Sequence, residues 1–595
     1  MVTSDRPGRA PATDAAAAIL GRLVERGLRH IVLSPGSRSQ ALALVAAELE
    51  RSGLIRLHVR IDERVAGFTA LGIGREDRMP AVVVCTSGTA VANLLPAVLE
   101  AHHSGVPLLL LTADRPPELR GVGANQATRQ PGMFTGFVRH EADLPVPDDV
   151  ADGIAAAAVA PFRLAADEAW DAAVGVGTRV AGPVHVNTPS REPLAGRLPE
   201  WLPTADGVAA ASGSSDADAT ADAEWGAHYQ GGGGVGAAEE TPEAGAAALE
   251  RGPRTVVVAG ADAGAAAEAL AHAGGFPLIA EIVSGARYGR HLVHGYRRLL
   301  SDPDLGGRIE RAVVFGHPTL SREVARLLAR EDVDVLAVSG PGEQLNLNGK
   351  TTAVDVVTVR PGDADRDWLG MWMRASRDAA VDLSPAAPDV DALSSGVPAE
   401  RLGAISAELG AIRAPLDRAA LVDAVWRATW PHDRLMFGSS RLVRVADELL
   451  GGKKVPVHAN RGLAGIDGTV ATGLGIAAAS QRGTTPGVTR VLLGDLAFLH
   501  DVGALLHPAP EPEPRIQVIV GNDGGGTIFD GLEVAAVATA EEFDRVQYTP
   551  QTARLEELAR AYGWEYRRVT TRGALDQALT SPVGGRQIIE VPLAR

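Results

Sequence analysis

The sequence predicts an α/β protein of three doubly wound parallel-sheet domains. Three observations predict it. Short apolar runs of β character alternate with helical stretches, polar or charged clusters fall where those runs end, and the chain is long enough for several separate cores. In doubly wound sheets ligands bind beyond the carboxyl ends of the strands, so those clusters are where function is expected.

Taken in order, residues 14–27 read as an amphipathic helix and His30–Leu33 as a strand. LHVRID, a helix over 66–74, the run Ala81–Cys85, a helix over 90–104 and PLLLLTAD follow. The clusters at the strand ends are 34–39, Asp62-Glu63, 86–89 and Asp114-Arg115. This first domain is assigned residues 1–195. Residues 196–252 read as a flexible linker, because tracts of Ala, Gly, Ser and acid between 205 and 251 cannot bury enough apolar surface to order themselves. A central α/β spacer is assigned 253–414, with strands at 255–259, 277–280, 311–315, 333–338 and 353–359. Its VVVAGADAG turn is weak grounds for a nucleotide loop and reads as a simple βα turn.

The third domain, 415–595, opens with a helix over 417–429, the strand RLMFGSS, VPVHANRG and a Gly/Ala-rich helix through Gly475. No residue-level repeat links it to the first. Two β-runs then end in Gly494-Asp495 and in Asn522-Asp523, the second followed by three glycines. Two carboxylates and an amide beside mobile backbone suit a hard divalent cation, which prefers oxygen ligands and completes its shell with phosphate and water. Glycines let the backbone approach a diphosphate, and a helix N-terminus favours its charge. Two ordinary loops of an α/β sheet would also carry such residues.

The chain holds 57 basic and 73 acidic residues, a net charge of −16, which argues against nucleic acid or an anionic membrane as partner. One cysteine, Cys85, excludes an intrachain disulfide and suits a reducing compartment. Its place in a β-run marks it as a buried structural thiol. The N-terminal residues lack the apolar core of a signal peptide, and no run is long enough to span a bilayer, so a cytoplasmic protein is expected.

GD, a spacing of 27 residues from Asp495 to Asn522, then Asn-Asp, resembles the GDG…NN motif of thiamine-diphosphate (ThDP) enzymes. Leu496 and Asp523 depart from it, and Asp523 keeps an oxygen ligand. Further stretches narrow the resemblance: SPGSRSQALAL (34–44), IDERVAGFTALGIG (61–74), TSGTAVANLLPAVLEA (86–101), TADRPPELRGVGANQATRQPGMF (112–134), GSSRLVR (438–444) and ANRGLAGIDG (459–468). Together they resemble the 2-succinyl-5-enolpyruvyl-6-hydroxy-3-cyclohexene-1-carboxylate synthase family, transferases of menaquinone biosynthesis. The resemblance is thin across the middle domain.

What the resemblance implies is specific. The fold is that of the ThDP-dependent decarboxylases, with pyrimidine-binding, central and diphosphate-binding domains. The activity is decarboxylation of 2-oxoglutarate and 1,4-addition of the resulting succinic semialdehyde carbanion to isochorismate, releasing CO₂. Cofactors are ThDP and Mg²⁺ or Mn²⁺. Glu63 matches the glutamate that grips the aminopyrimidine from a neighbouring subunit, where a carboxylate favours the imino tautomer. Ile466 matches the apolar wedge that bends the cofactor, and Gly494, Asp495, Leu496, Asn522 and Asp523 the diphosphate site. The metal ligands are Asp495, Asp523 (or Asn522, which spacing alone does not exclude) and the Gly525 carbonyl. Dicarboxylate substrates in an acidic protein need local cations, and arginine's planar fork suits them. Arg38, Arg115, Arg444 and Arg461 match substrate arginines, Arg322 a basic position, Asn125 and Gln126 substrate amides, and Ser37 and Ser440 hydroxyl donors. His102, His103 and His500 fall outside the matching motifs and read as structural. A homodimer or homotetramer is implied. The rival readings are another ThDP decarboxylase or carboligase, such as an acetohydroxyacid-synthase-like enzyme, and a non-catalytic protein that keeps only the cofactor fold.

Overall fold

The computed structural model describes residues 8–147, 156–177, 180–205, 245–384, 386–482 and 487–595. Most of the stretch read as a linker, 206–244, lies outside them.

The first sheet comprises β1 (His30–Leu33), β2 (Arg56–Val59), β3 (Ala81–Cys85), β4 (Leu108–Asp114), β5 (His140–Asp143) and β6 (Pro183–Pro189), in the order β2-β1-β3-β4-β6-β5 and parallel throughout. β4 is apolar along most of its length because helices cover both faces. Leu20, Leu23 and Trp170 pack on one side of the sheet, Phe68, Leu71 and Val98 on the other. The helix expected over 90–104 is two, Thr89–Ala92 and Leu95–Ser104, with Pro96 in the first turn of the second. Proline lacks the N–H that would continue a helix and is tolerated where one begins.

The middle region holds β7 (Ala246–Leu249), β8 (Thr255–Ala259), β9 (Leu278–Ala280), β10 (Arg311–Phe315), β11 (Asp334–Val338), β12 (Thr352–Val354) and β13 (Val356–Val359). Five form a parallel sheet, β12-β11-β10-β8-β9, and β13 pairs with β7 alone. Two expectations change here. The run 353–359 is two strands in different sheets, divided at Asp355, whose N–H donates to the Gly245 carbonyl at 2.7 Å. The last residues of the supposed linker form β7, because a parallel partner supplies the hydrogen bonds that composition could not foretell.

The third sheet comprises β14 (Arg434–Phe437), β15 (Val457–Ala459), β16 (Thr489–Gly494), β17 (Ile516–Asn522), β18 (Glu565–Arg568) and β19 (Arg586–Pro592), in the order β15-β14-β16-β17-β19-β18. Counted from its own first strand, each six-stranded sheet runs second, first, third, fourth, sixth, fifth. The first and third regions therefore repeat one topology that no residue pattern displays.

These two regions join where helix Glu63–Asp77 packs on helix Thr469–Ser480. A Cβ on Gly72 would lie 2.1 Å from the Thr472 carbonyl oxygen, and one on Gly475 2.1 Å from that of Thr69. Partly buried ion pairs flank the junction: Arg434 with Glu76 at 2.7 Å and Arg60 with Glu511 at 2.8 Å. Gly475→Ala is expected to destabilise the protein by about 1–3 kcal/mol or more, since backbone cannot yield to an added methyl. Thermal unfolding checks it, and an unchanged melting temperature would mean the helices do not touch.

Candidate active site

At the carboxyl end of the first sheet, β1, β3 and β4 converge. The Arg38 N–H donates to Thr86 Oγ1 at 3.3 Å and its guanidinium to the Ser190 carbonyl at 3.3 Å. Arg115 donates to the Asn125 carbonyl at 2.7 Å. Ser87 and Gln126 exchange hydrogen bonds, the hydroxyl donating at 2.8 Å and the amide returning one at 2.9 Å. Gln126 holds φ +53°, a strained backbone for a residue with a side chain. Beneath lies buried Asp114, bonded to Asn187 and Arg120. The structure thus brings Arg38, Arg115, Asn125 and Gln126 together, with Ser37 exposed beside them. Burial, then the Arg115 charge, holds the Arg38 guanidinium below its ordinary range, and its Nε is buried without a partner.

A second cluster forms where the middle and third regions meet. Ser440 caps helix Arg441–Leu449, accepting from the Leu442 N–H at 3.2 Å, and Arg444 lies one turn on. Arg461, buried, donates to Thr319 Oγ1 at 2.7 Å and to Ser439 Oγ at 3.3 Å. Arg322 opens helix Arg322–Leu328. Burial is the main cause depressing both Arg444 and Arg461; Arg297 and Arg322 add to it for Arg444, and Arg444 adds to it for Arg461. Among the described residues none of Arg38, Arg115, Arg322, Arg444 and Arg461 forms an ion pair with a carboxylate. No hydrogen bond or ion pair there joins the two clusters.

The third group lies at the ends of β16 and β17. Asp495 starts helix Asp495–His500 and is 2% exposed as a residue in a polar setting. Its Oδ1 accepts from the Leu496 N–H at 2.8 Å, while Oδ2 is buried without a partner. Burial and then the charge of Asp523 push this carboxyl up to about 6. A Cβ on Gly494 would sit in ordinary van der Waals contact with the Ser440 side chain, at 3.7 Å. Asp523 Oδ2 accepts from Arg418 at 2.7 Å and Thr527 Oγ1 at 2.5 Å. Asn522 is engaged on both atoms of its amide, Nδ2 donating to Glu590 at 2.8 Å and Oδ1 accepting from the Gly524 N–H at 3.1 Å. Gly524 and Gly525 hold φ +78° and +158°, and a Cβ on Gly525 would meet the Tyr548 carbonyl oxygen at 2.4 Å. Among the described residues no three His, Cys, Asp or Glu gather as a metal cage. Two facing carboxylates with one orphaned oxygen fit an ion that takes the rest of its shell from phosphate and water.

Glu63 is the first residue of its helix, capped by Asp62, which accepts from the Arg64 N–H at 2.8 Å. It is half-buried, and neither neighbouring arginine pairs with it: Arg60 goes to Glu511, and Arg64 donates to the His500 carbonyl at 2.9 Å. Its charge acts on Cys85, a thiol raised chiefly by burial. Within one chain no hydrogen bond or ion pair joins Glu63 to Asp495. Ile466 is 37% exposed, so it is not a core residue. Leu496 follows Asp495 into the helix.

Several contributors escape sequence reasoning. Thr86 and Ser87 lay in a flagged strand-end cluster, though their contacts to Arg38 and Gln126 did not show. Thr319, Arg418 and Tyr548, whose hydroxyl donates to the Asp523 carbonyl at 2.8 Å, reach the site from distant segments and carry no local signal.

Comparison with known proteins agrees with this arrangement. Residues 13–133 match the family described as thiamine pyrophosphate enzyme, N-terminal TPP binding domain. A protein of Leifsonia xyli subsp. xyli named 2-succinyl-5-enolpyruvyl-6-hydroxy-3-cyclohexene-1-carboxylate synthase is 53% identical over 603 residues, covering 98% of this chain and 97% of its own. Proteins of the same name from Clavibacter michiganensis subsp. michiganensis and Kineococcus radiotolerans are 53% and 42% identical, covering 100% and 98% of this chain and 98% and 96% of theirs. With likeness of that degree running from end to end, the chain belongs to the 2-succinyl-5-enolpyruvyl-6-hydroxy-3-cyclohexene-1-carboxylate synthase family of ThDP-dependent enzymes.

Proposed function

We propose that the protein decarboxylates 2-oxoglutarate and adds the remaining four-carbon unit to isochorismate in a 1,4 sense, releasing CO₂ and giving the product for which its relatives are named. The observation that carries this reading is the pair of arginine clusters. In a protein of net charge −16, five arginines gather in two clusters, and among the described residues none of them is in a direct ion pair with a carboxylate, although Asp447 and Glu281 act on Arg444 and Arg461 from nearby. Crowded guanidinium groups are costly unless a polyanionic ligand repays them, and both substrates are dicarboxylates.

ThDP, when bound, supplies the carbon nucleophile and the electron sink for decarboxylation. Asp495, Asp523 and the Gly525 carbonyl hold the divalent cation that carries its diphosphate. Asp523 is favoured over Asn522 because its charge acts on Asp495, whereas the Asn522 amide is committed to Glu590 and Gly524. Glu63 holds a proton at the pyrimidine nitrogen, and Ile466 offers an apolar surface to the cofactor. Arg38, Arg115, Asn125, Gln126 and Ser37 bind substrate from one side, Arg322, Ser440, Arg444 and Arg461 from the other. Among the described residues no hydrogen bond or ion pair joins the two sets within one chain, and a homodimer or homotetramer with each site shared between copies is proposed. The divisions 1–195, 253–414 and 415–595 are proposed as the domains; each holds one of the three larger sheets, while β7 of the middle region falls before residue 253. Among the described residues no helix is long and apolar enough to cross a membrane, and a cytoplasmic location is proposed on the lone buried thiol.

The test is to mix protein, ThDP, Mg²⁺, 2-oxoglutarate and isochorismate and seek the adduct by mass spectrometry. CO₂ from pyruvate in place of 2-oxoglutarate would overturn the assignment. Arg444→Ala is expected to raise the KM for isochorismate at least about tenfold, the worth of a charge-assisted hydrogen bond. Steady-state kinetics checks it, and a fall confined to ThDP affinity would refute the substrate role.

A further inference from the structure

Beneath the second arginine cluster lies a carboxyl group that the reading above does not use. Glu281 follows β9 and is 0% exposed. Its Oε1 accepts from the Leu320 N–H at 2.6 Å, and its Oε2 is buried with no hydrogen-bond partner. Leu320 follows Thr319, the residue that receives Arg461, so Glu281 anchors the loop on which Arg461 rests.

The charges around it come from four directions. From helix Arg441–Leu449 come Arg444 and Asp447, and from the loop after β15 comes Arg461. Helix Tyr296–Leu300 brings Tyr296 and Arg297, which donate to Asp447 Oδ2 at 2.5 and 2.7 Å. Arg287, on the loop after β9, donates to the Ala280 carbonyl at 2.6 Å and lies 3.5 Å from Asp447 Oδ1. The Asp447 carboxylate thus collects the donors, and Glu281 faces it with one oxygen unsatisfied.

We propose that Glu281 is a positioning residue for substrate carboxylate binding, fixing the loop that holds Arg461 without neutralising the charges of Arg444 and Arg461. An ionised Glu281 would compete with the substrate for those cations, whereas a neutral one leaves them available. Burial, then the neighbouring Asp447, pushes its carboxyl up to about 8, against the Leu320 and Thr319 N–H groups and the Arg461 charge. A carboxyl raised in this way, with one oxygen left without a hydrogen-bond partner, is expected to keep its proton at neutral pH. As pH rises through about 8 it ionises, and the site loses affinity for its anion. This deepens the proposed function and rests on it.

The experiment has two arms. KM for isochorismate is measured between pH 6.5 and 9.5 for the wild type, Glu281→Gln and Glu281→Ala. In the wild type it is expected to rise toward about tenfold per unit above the ionisation, as for any ligand that binds one protonation state. Glu281→Gln, which keeps the Oε1 acceptor and cannot ionise, should lose that rise, and Glu281→Ala should show a raised KM at every pH. The same alkaline rise in Glu281→Gln would overturn the proposal. The second arm needs no turnover: at neutral pH the protonated-carboxyl infrared absorption should lose one component in Glu281→Gln relative to the wild type, distinct from that of Asp501, which burial also raises to about 7, and an unchanged absorption would also overturn the proposal. Wild-type protein that turns over neither substrate while showing that component would sink the proposed reaction and not the state of Glu281.

Discussion

Glu63→Gln is expected to lower turnover by about 10²–10⁴-fold, the range in which a positioned general acid–base group contributes. Binding of ThDP should change little. The carboxylate stands at the first position of its helix with no internal partner, and both adjacent arginines are engaged elsewhere, so its charge is free for a ligand. Glutamine has the same shape, and the Asp62 cap that starts the helix is untouched, so folding is not in question. What glutamine lacks is the ability to share a proton with a ring nitrogen. Single-turnover decarboxylation of 2-oxoglutarate, beside a fluorescence titration of ThDP, separates the two effects. Full turnover in the variant would remove Glu63 from the chemistry.

The second large effect is expected at Asp495, and its sign depends on what is bound. A carboxyl raised in the folded state binds its proton more tightly there than in the unfolded chain. Its ionisation therefore costs stability as pH rises from about 4 to about 6, by roughly 3 kcal/mol for a shift from 3.8 to about 6. Asp495→Asn removes that cost, so cofactor-free protein should melt higher at pH 7, by about 2–4 °C per kcal/mol for domains of this size. With Mg²⁺ and ThDP the order reverses. The wild type gains an ion that turns the Asp495–Asp523 repulsion into shared attraction, and the variant should hold the cofactor at least about a hundredfold more weakly, because losing one partner of a buried charge costs about 3–5 kcal/mol. Calorimetry with and without Mg²⁺–ThDP reads both signs. A variant less stable than wild type in both conditions would show that Asp495 serves the fold and not a cation.

Much of this was readable from local residues. Strands β3, β4, β16 and β17 announce themselves because both faces of a parallel sheet are covered, which makes each a continuous apolar run. Their ends mark the site because the chain turns polar where cover stops. Less was legible where the deciding partner lies far along the chain. β7 looked like more low-complexity sequence until β13 paired with it, and 353–359 looked like one strand until Gly245 took the Asp355 N–H. Asn522 and Asp523 could not be ranked by spacing. Glu590, 68 residues away, occupies the Asn522 amide, and Arg418, 105 residues away, meets Asp523.

By itself the sequence determined most of the strands, the polar strand ends and the kind of chemistry they carry, because periodicity, turn residues and contiguous motifs act over a few residues. Only the tertiary structure decided which of those ends meet. It set one strand order twice over, pressed Gly72 and Gly475 into a backbone crossing, gathered Arg322, Arg444 and Arg461 into one field, and placed Glu281 beneath them. The physical reason is that burial and charge act through space, across separations in the chain over which a residue pattern carries no information.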